Sequence, residues 1–340
     1  MLTGDLDRVL ATDISSAGSW RPGPPGSRPG TYASSIAFPL ARARGMSPPA
    51  AANALAARLD PLTWVETATV TGGGYLTVTV TRCALARLAV RISEAGPACA
   101  RSEALSGTSL TAPRAAGLAT ARSWPEARQR LARHLTGRLA QAAGATVTWI
   151  DEAERADQAR PGSTAAAAHV AETTAFAGRD AVVFTLARRP PGAWARLDGA
   201  AVAAHHLGNP AYAVRYAHAH AASVLRQAAD LGLDRGEAAG FQPRLLHHPS
   251  EQALLESLSW LPERVAGAAR RGQPDVLARY LEQLAGAWFG CHEECPAAWP
   301  GMAGLPGDEV TAARLWLAAA AATALAAGLG LLGVAAPERL

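Results

Sequence analysis

A charge-free apolar run near the C-terminal end sets the strongest constraint on the fold. Residues 315–336 read LWLAAAAATALAAGLGLLGVAA, which is long enough to cross a bilayer as a helix. Most of these residues are Ala or Gly, however, and Ala is close to neutral for membrane insertion. We therefore expect a helix buried inside a helical bundle, followed by a Gly-containing turn, and no membrane among the partners.

The overall composition is that of a globular protein with a sizeable core. Hydrophobic residues make up 49% of the 340 residues and charged residues 18%, which is too apolar for a disordered chain. The length predicts two or three domains. The N-terminal sequence MLTGDLDRVL carries acidic residues where a secretory signal needs basic ones and an apolar run, so we expect a cytoplasmic protein with reduced cysteines.

All 32 basic residues are arginine, and the sequence contains no lysine. This excludes phosphate-loop NTPases, which need the Lys of G-x-x-x-x-G-K-[ST], and it excludes lysine Schiff-base chemistry. The charge is unevenly distributed: residues 1–200 hold 22 Arg against 15 acidic residues, and residues 201–340 hold 10 against 13. The N-terminal part is therefore the better electrostatic match for a polyanion.

The apolar spacing predicts a small α+β domain over residues 1–92. We expect a helix over 1–19 and a second over 32–44, where apolar residues recur at helical spacing. Ser47 is placed to cap a third helix, and glycines 72–74 separate two alternating β-branched runs that predict a hairpin.

The rest of the chain divides into a central segment and a helical part. Residues 93–200 are expected to form a linker and a reduced α/β remnant, with an arginine-rich helix at 125–143 and strands at 145–150 and 181–187. Residues 201–340 predict an all-helical domain.

Three segments of this helical part resemble one family. NPAYAVRYAHAHAASVLRQA (209–228), LLESLSWLPERVAGAA after Glu251, and the closing ARLWLAAAAATALAAGLGLLGVAAPERL are similar to the anticodon-binding domain of arginyl-tRNA synthetases. At the other end, GTYASSIAFPLARARG (30–45) and GGGYLTVTV resemble the domain with which that family contacts the tRNA elbow. The resemblance implies an α+β N-terminal domain followed by an all-α helical bundle of the class I synthetase anticodon-binding, DALR type, with tRNA as partner.

The family's catalytic machinery has no counterpart in the sequence. The interval from Cys83 to Gly208 is too short for a class I catalytic domain, which needs a His-x-Gly-His turn and a lysine loop. None of the nine histidines forms that turn. The run from His206 to Asn209 has the form His-x-Gly-Asn, but Pro210 favours extended geometry at Asn209, directly before a bundle helix.

We therefore expect a non-catalytic tRNA-binding protein with no catalytic residues and no cofactor. Two alternatives stay open. The bundle is then either a decayed anticodon-binding domain that now docks a partner protein, or an accessory subunit of a tRNA-dependent enzyme.

The candidate tRNA-binding residues follow from how proteins hold unstacked bases, by stacking on aromatic rings or arginine planes and by hydrogen bonds. Tyr212, Arg215 and Tyr216 share one helix face, although two tyrosines at this spacing also suit core packing. Arginines on the helix at 125–143 either track phosphates or form a solvated basic face. The resemblance adds the other positions. The full set is Tyr32, Ser35, Arg128, Arg133, Asn209, Tyr212, Arg215, Tyr216 and His220.

A metal site is not expected. Cys291 and Cys295 flank His292 and two glutamates, but Cys-x3-Cys has no second pair to complete a tetrahedral zinc site, except His247 or His248.

Overall fold

The chain forms a mixed α/β half followed by a helical half. The computed structural model describes residues 2–10, 20–24, 26–151, 164–192, 197–298 and 308–340. The strands are β1 (Trp20–Pro22), β2 (Thr31–Ser34), β3 (Val65–Thr71), β4 (Tyr75–Val80), β5 (Ser109–Pro113) and β6 (Thr146–Ile150). The helices before residue 200 are α1 (Leu2–Val9), α2 (Ala37–Arg44), α3 (Pro48–Leu59), α4 (Arg82–Ala86), α5 (Leu88–Ala95), α6 (Trp124–Ala142), α7 (Thr164–Ala177), α8 (Arg179–Ala187) and α9, which begins at Gly199 and ends at Ala203. The helices after it are α10 (Pro210–Asp230), α11 (Pro249–Ser259), α12 (Leu261–Arg271), α13 (Asp275–Glu294) and α14 (Glu309–Leu331). An α+β region followed by a helical domain confirms the predicted fold class.

A four-stranded antiparallel sheet of order β1-β2-β4-β3 forms the N-terminal region. The predicted hairpin is β3 and β4, and glycines 72–74 all have positive φ, a region that favours glycine. The predicted cap is also present, because the Ser47 side chain accepts a hydrogen bond from Ala50 N at the start of α3.

The helix expected over 32–44 is only partly correct. Residues 31–34 form β2, which pairs with β4 so that Tyr32 lies opposite Val78, and the helix α2 starts at Ala37. The tertiary pairing with β4 overrides the helical spacing of the alanines. Of the helix expected over 1–19, α1 covers Leu2–Val9, and 11–19 lie outside the described residues.

The central segment contains a β-α-β unit. β5 and β6 pair in parallel, and α6 connects them and packs against both strands. The strand predicted at 145–150 is confirmed as β6. The strand predicted at 181–187 is wrong, because Arg179–Ala187 is the helix α8. Its Val182, Val183 and Phe184 are all buried, so a short continuous apolar run gave no periodicity that separates a helix from a strand.

The bundle is built around α14. This helix packs against α10, α13 and α5, and 67% of its most apolar window is buried within the fold. Its length and composition also meet the requirements for a membrane span. Gly328 allows close contact, because a Cβ there would lie 2.4 Å from Leu281 Cδ2. The expected buried helix is thus confirmed as the central helix of the bundle.

Polar contacts of α11 join it to α14 within the bundle and to the N-terminal region. Glu251, only 1% exposed, accepts hydrogen bonds from Arg314 Nε at 2.8 Å and from His248 N at 2.9 Å. On the adjoining side of α11, Glu256 accepts hydrogen bonds from Gly30 N and from Trp260 Nε1. The Trp260 ring in turn lies 5.2 Å from that of Tyr32 on β2. One continuous hydrophobic core therefore spans both regions, and the predicted boundaries at 92 and 200 stay predictions.

The close contact of α6 with β5 makes Gly137 a test of the β-α-β unit. We expect Gly137→Ala to lower the free energy of unfolding by about 1–3 kcal/mol, because the new Cβ would lie 2.4 Å from Ala112 Cβ and force the helix away. Gly286→Ala is the matched control: it lies in α13 with nothing within 4 Å of the added Cβ, so it should stabilise by about 0.5–1 kcal/mol. Urea unfolding of both variants measures the difference, and equal effects would contradict the close packing.

Candidate nucleic-acid interface

A column of aromatic and imidazole rings runs along the outside of α10 and α13. Its members are His205, Tyr212, Tyr216, His220, Trp288, Phe289 and His292, and we call them the aromatic ladder. Tyr212 stacks on His205 with ring centroids 5.4 Å apart, and on Tyr216 at 5.5 Å. Tyr216 continues the stack to Phe289 of α13 at 5.9 Å. The interplanar angles of these three pairs are 18°, 11° and 28°, so the rings are close to parallel.

The ladder is positioned by the way α10 begins. Asn209 is the N-cap: its side-chain oxygen accepts a hydrogen bond from Ala211 N, and its Nδ2 donates to the carbonyls of Val202 and Ala204 at 2.9 and 2.8 Å. From this start, the four-residue spacing brings Tyr212, Tyr216 and His220 onto one face. Asn209 is only 7% exposed, which corrects its expected role as an RNA contact, since its amide is used inside the protein.

The inner end of the ladder is closed by a hydrogen bond between two rings. Trp288 is buried, and its Nε1–H donates to His220 Nδ1 at 3.1 Å. Because indole is a donor only, His220 Nδ1 must be unprotonated. Burial lowers the pKa of His220, and burial together with the neighbouring His220, whose ring centroid is 4.7 Å away, lowers the pKa of His292.

The outer part of the ladder remains accessible. His205 is exposed, and Tyr212, Tyr216 and Phe289 are half-buried. The tyrosines are thus neither core residues nor free side chains, because each packs beside neighbouring rings and is still partly open to solvent. Arg215, on the same helix, is half-buried, and its Nε has no hydrogen-bond partner among the described residues. RNA contact by Tyr212, Arg215, Tyr216 and His220 stays a prediction.

The structure corrects the predicted contact of Tyr32 and shows what holds Arg128, whose RNA contact stays a prediction. Tyr32 has 0% exposure and its ring lies against Trp260, so no face is left for a nucleotide. Arg128 is half-buried and donates from Nε and Nη2 to Arg189 O at 3.1 and 2.9 Å, which fixes it between α6 and the end of α8. Ser35 is half-buried and Arg133 is exposed, and their predicted roles are not tested.

Sequence reasoning missed a second aromatic pair. Tyr75, at the start of β4, is 44% exposed, and its ring packs edge-on against Phe38 of α2 at 5.0 Å. Arg42 is exposed one turn after Phe38. The four-residue spacing of Phe38 and Arg42 was a readable signal, but only the pairing of β2 with β4 brings Tyr75 beside them. Trp288, Phe289, His292 and His205 were missed for the same reason, since α10 and α13 meet only in the fold.

A carboxylate of the protein itself occupies the N-terminus of α6, the helix of the β-α-β unit. In such units an anion binds where the first strand leads into the helix, because backbone N–H groups point outward there. Here Glu126 fills that position: Ser123 caps α6, and Glu126 Oε2 accepts a hydrogen bond from Arg122 N at 2.7 Å while Oε1 binds Arg130 at 2.5 Å. The connecting loop, residues 114–123, contains no histidine and no lysine.

The two neighbouring cysteines of α13 are packed inside the protein. Burial raises the pKa of Cys291 to about 12 and also raises that of Cys295, whose Sγ is 3.6 Å from Ser250 Oγ. Within the described parts of the chain, no group of three or more His, Cys, Asp or Glu side chains is arranged to hold a metal ion.

The lowered pKa values of His220 and His292 predict a pH-dependent stability. The unfolded chain takes up these two protons at a higher pH than the folded protein, so acidification favours unfolding. Their contribution is therefore fully present above about pH 6.5, the ordinary histidine value, and decreases as the pH falls below it. We expect urea midpoints to fall from pH 7.5 to 5.5, and His292→Gln to reduce that slope. His247→Gln, at an exposed position, should leave the slope unchanged, and equal slopes in both variants would contradict this account.

Comparison with known proteins gives two matched family regions. Residues 214–340 match the family described as DALR anticodon binding domain, and residues 23–80 match the arginyl tRNA synthetase N terminal domain. The first region begins within α10 and contains α11–α14, with Tyr216, His220 and the three ladder residues of α13. The second contains β2, β3 and β4 of the sheet. The predicted resemblance at both ends is therefore confirmed.

Sequence relatives cover only part of the chain. An arginine–tRNA ligase of Paenarthrobacter aurescens is 40% identical over 163 residues, which is 48% of this chain and 29% of the relative. The ligase of Micrococcus luteus is 40% identical over 166 residues, with the same coverage. The chain thus matches about 29% of the length of these relatives.

Solved structures show the same fold. The arginyl-tRNA synthetase of Thermus thermophilus aligns with a TM-score of 0.66 at 15% identity, over 99% of this chain and 98% of that one. The Plasmodium falciparum enzyme aligns with a TM-score of 0.60 at 8% identity, over 100% and 98%. The protein thus matches a DALR anticodon-binding domain and an arginyl-tRNA synthetase N-terminal domain, and it is homologous to arginyl-tRNA synthetases over about half of its length.

Proposed function

We propose that this protein binds tRNA without aminoacylating it. The observation that carries the proposal is the aromatic ladder, most of which lies within the region that matches an anticodon-binding domain. An anticodon loop presents unstacked bases, and proteins hold such bases on aromatic rings. The ladder offers the accessible parts of Tyr212, Tyr216 and Phe289 and the exposed ring of His205 for this purpose.

Stacking supplies the affinity that charge does not. Residues 201–340 hold more acidic residues than arginines, so the bundle gains little from phosphate attraction. A stacked base is worth about 1–3 kcal/mol, and this term does not depend on net charge. Arg215 adds one guanidinium beside the tyrosines.

The N-terminal domain provides a second surface for the same RNA. Tyr32 is unavailable, but exposed Tyr75 packs against half-buried Phe38, with Arg42 one turn further along α2. This surface lies in the arginine-rich half of the chain, where phosphate contacts are electrostatically favoured.

Two features support the absence of aminoacylation. The chain has no lysine and no His-x-Gly-His turn, so the groups that the family uses to stabilise phosphates during activation are missing. In addition, the N-terminus of α6, where the β-α-β unit would receive a phosphate, holds the Glu126 carboxylate. A negative side chain in that place repels a nucleotide phosphate.

A second candidate function is a protein-interaction module built on the same bundle. The acidic balance of residues 201–340 favours it, as does the burial of Tyr32. Under this alternative, the ladder would not contribute to RNA affinity, and the wild-type protein would not retain tRNA even at low salt.

Substitution within the ladder tests the proposed RNA contact. We expect Tyr216→Ala to weaken binding of total tRNA by about 5- to 150-fold, the equivalent of one lost base stack, and Tyr216→Phe to keep most of the affinity because the ring remains. Phe176→Ala, an exposed aromatic residue on α7 outside the ladder, is the control and should bind as the wild type. Filter binding at two salt concentrations measures this, with thermal melts to confirm folding. Absence of wild-type binding at low salt would overturn the proposal in favour of the protein-interaction module.

Loss of catalysis has its own readout. We expect no arginine-dependent exchange between ATP and pyrophosphate, with or without added tRNA, because no residue is available to stabilise the departing pyrophosphate. An active arginyl-tRNA synthetase assayed in parallel provides the positive control. Exchange above background that requires arginine would contradict the non-catalytic assignment.

A further inference from the structure

A cavity of about 580 Å³ opens on the N-terminal region, on a side of the protein that the aromatic ladder does not reach. One wall is α1, the opposite wall is the α4–α5 segment, and the floor is formed by residues 63–64 and Thr81. The floor is held by a hydrogen bond from Thr81 N to Trp64 O at 2.9 Å. This volume lies within the range of small-ligand sites.

One helical face lines the cavity with functional side chains. Cys83, Arg87 and Arg91 follow each other at four-residue intervals, and Arg87 N and Arg91 N bond to the carbonyls of Cys83 and Arg87 at 3.0 and 3.2 Å. These two hydrogen bonds continue the helical spacing across the junction of α4 and α5, and the three side chains line the same space.

The cavity has an excess of positive charge. Asp5 of α1 is the acidic residue that lines it, and Asp5 binds Arg8 at 3.1 Å and Arg91 at 2.5 Å. Arg87 forms no ion pair or side-chain hydrogen bond within the described residues. Its fork of donors therefore stands beside two further guanidiniums that share one carboxylate, an arrangement that favours an anion.

An aromatic side chain faces the same space. Trp64 lines the cavity and is half-buried, and its ring makes no contact with another aromatic ring in the described structure. A flat π-system beside a guanidinium fork matches a ligand with a flat ring and a phosphate.

We propose that this cavity binds a nucleotide, with the base against Trp64 and the phosphate on Arg87 and Arg91. A nucleotide supplies both halves of the match: a planar heterocycle for stacking and a phosphate for bidentate arginine contact. The nucleotide is either a free nucleoside monophosphate or a nucleotide of an RNA strand. The proposal does not depend on tRNA binding by the ladder.

Cys83 supplies a direct measure of occupancy. It is exposed and lines the cavity, whereas Cys99, Cys291 and Cys295 are buried. The reaction rate of a bulky aromatic disulfide reagent with the native protein therefore reports access to this one thiol. We expect AMP to slow the reaction at Cys83 and to change the tryptophan fluorescence, while adenosine and inorganic phosphate, each with half of the chemistry, protect about tenfold less well.

Two arginine variants and one ladder variant separate the outcomes. Arg87→Ala should weaken the protection by about tenfold or more, and Arg82→Ala, an exposed arginine on the same helix that does not line the cavity, should leave it unchanged. Tyr216→Ala should not alter protection by AMP, so a failure of the proposed ladder function stays distinguishable.

Protection by tRNA but not by AMP, lost in Arg87→Ala, would identify an RNA nucleotide as the ligand. Protection by AMP would identify a free nucleotide. An unchanged Cys83 rate with millimolar AMP and with tRNA, or protection that survives Arg87→Ala, would overturn the proposal.

Discussion

The contact of Tyr32 with Trp260 and Glu256 decides how the two halves of this protein work together. A β-strand tyrosine, an indole and a carboxylate that accepts from Gly30 N join the sheet to α11, and the hydrophobic core continues across the junction. Burial raises the pKa of the Tyr32 hydroxyl, with the nearby Glu256 charge acting in the same direction, so the side chain stays neutral in this contact. The residue expected to touch RNA instead fixes the position of the domain that carries it. Any RNA contact of the N-terminal domain must therefore come from its outer surface, where Phe38 and Tyr75 lie.

The bundle combines a rigid interior with an adaptable face. The interior is set by α14 and by the ion pair between buried Glu251 and Arg314. Removing either partner would leave the other as an unpaired charge. The face is the ladder, whose rings contact one another, while Trp288 is buried and Phe289 also packs against the core. Because the rings are already stacked in the free protein, little side-chain freedom is lost when a base adds to them. This pre-organisation suits a domain with few basic residues.

Local features were readable from the sequence, and contacts between distant segments were not. Ser47 capping α3 and the glycine turn of the hairpin depend on neighbouring residues, and both were predicted. The spacing of Tyr212 and Tyr216 likewise gave one half of the ladder. The other half comes from α13, and nothing in the sequence says that Phe289 meets Tyr216. The burial of Tyr32 against Trp260 is likewise a contact between distant segments. The apolar run of α8 predicts a strand as readily as a helix, because it has no periodicity.

The place of α14 in the chain bears on how the protein is made. Helices α5, α10 and α13 pack against this one, yet it leaves the ribosome after them. Until then, α10, α13 and α5 of the preceding region expose the apolar surfaces that α14 will cover. Nascent chains with such unfilled surfaces are prone to aggregate and depend on chaperones. The core of the bundle is therefore complete only after α14 has been synthesised.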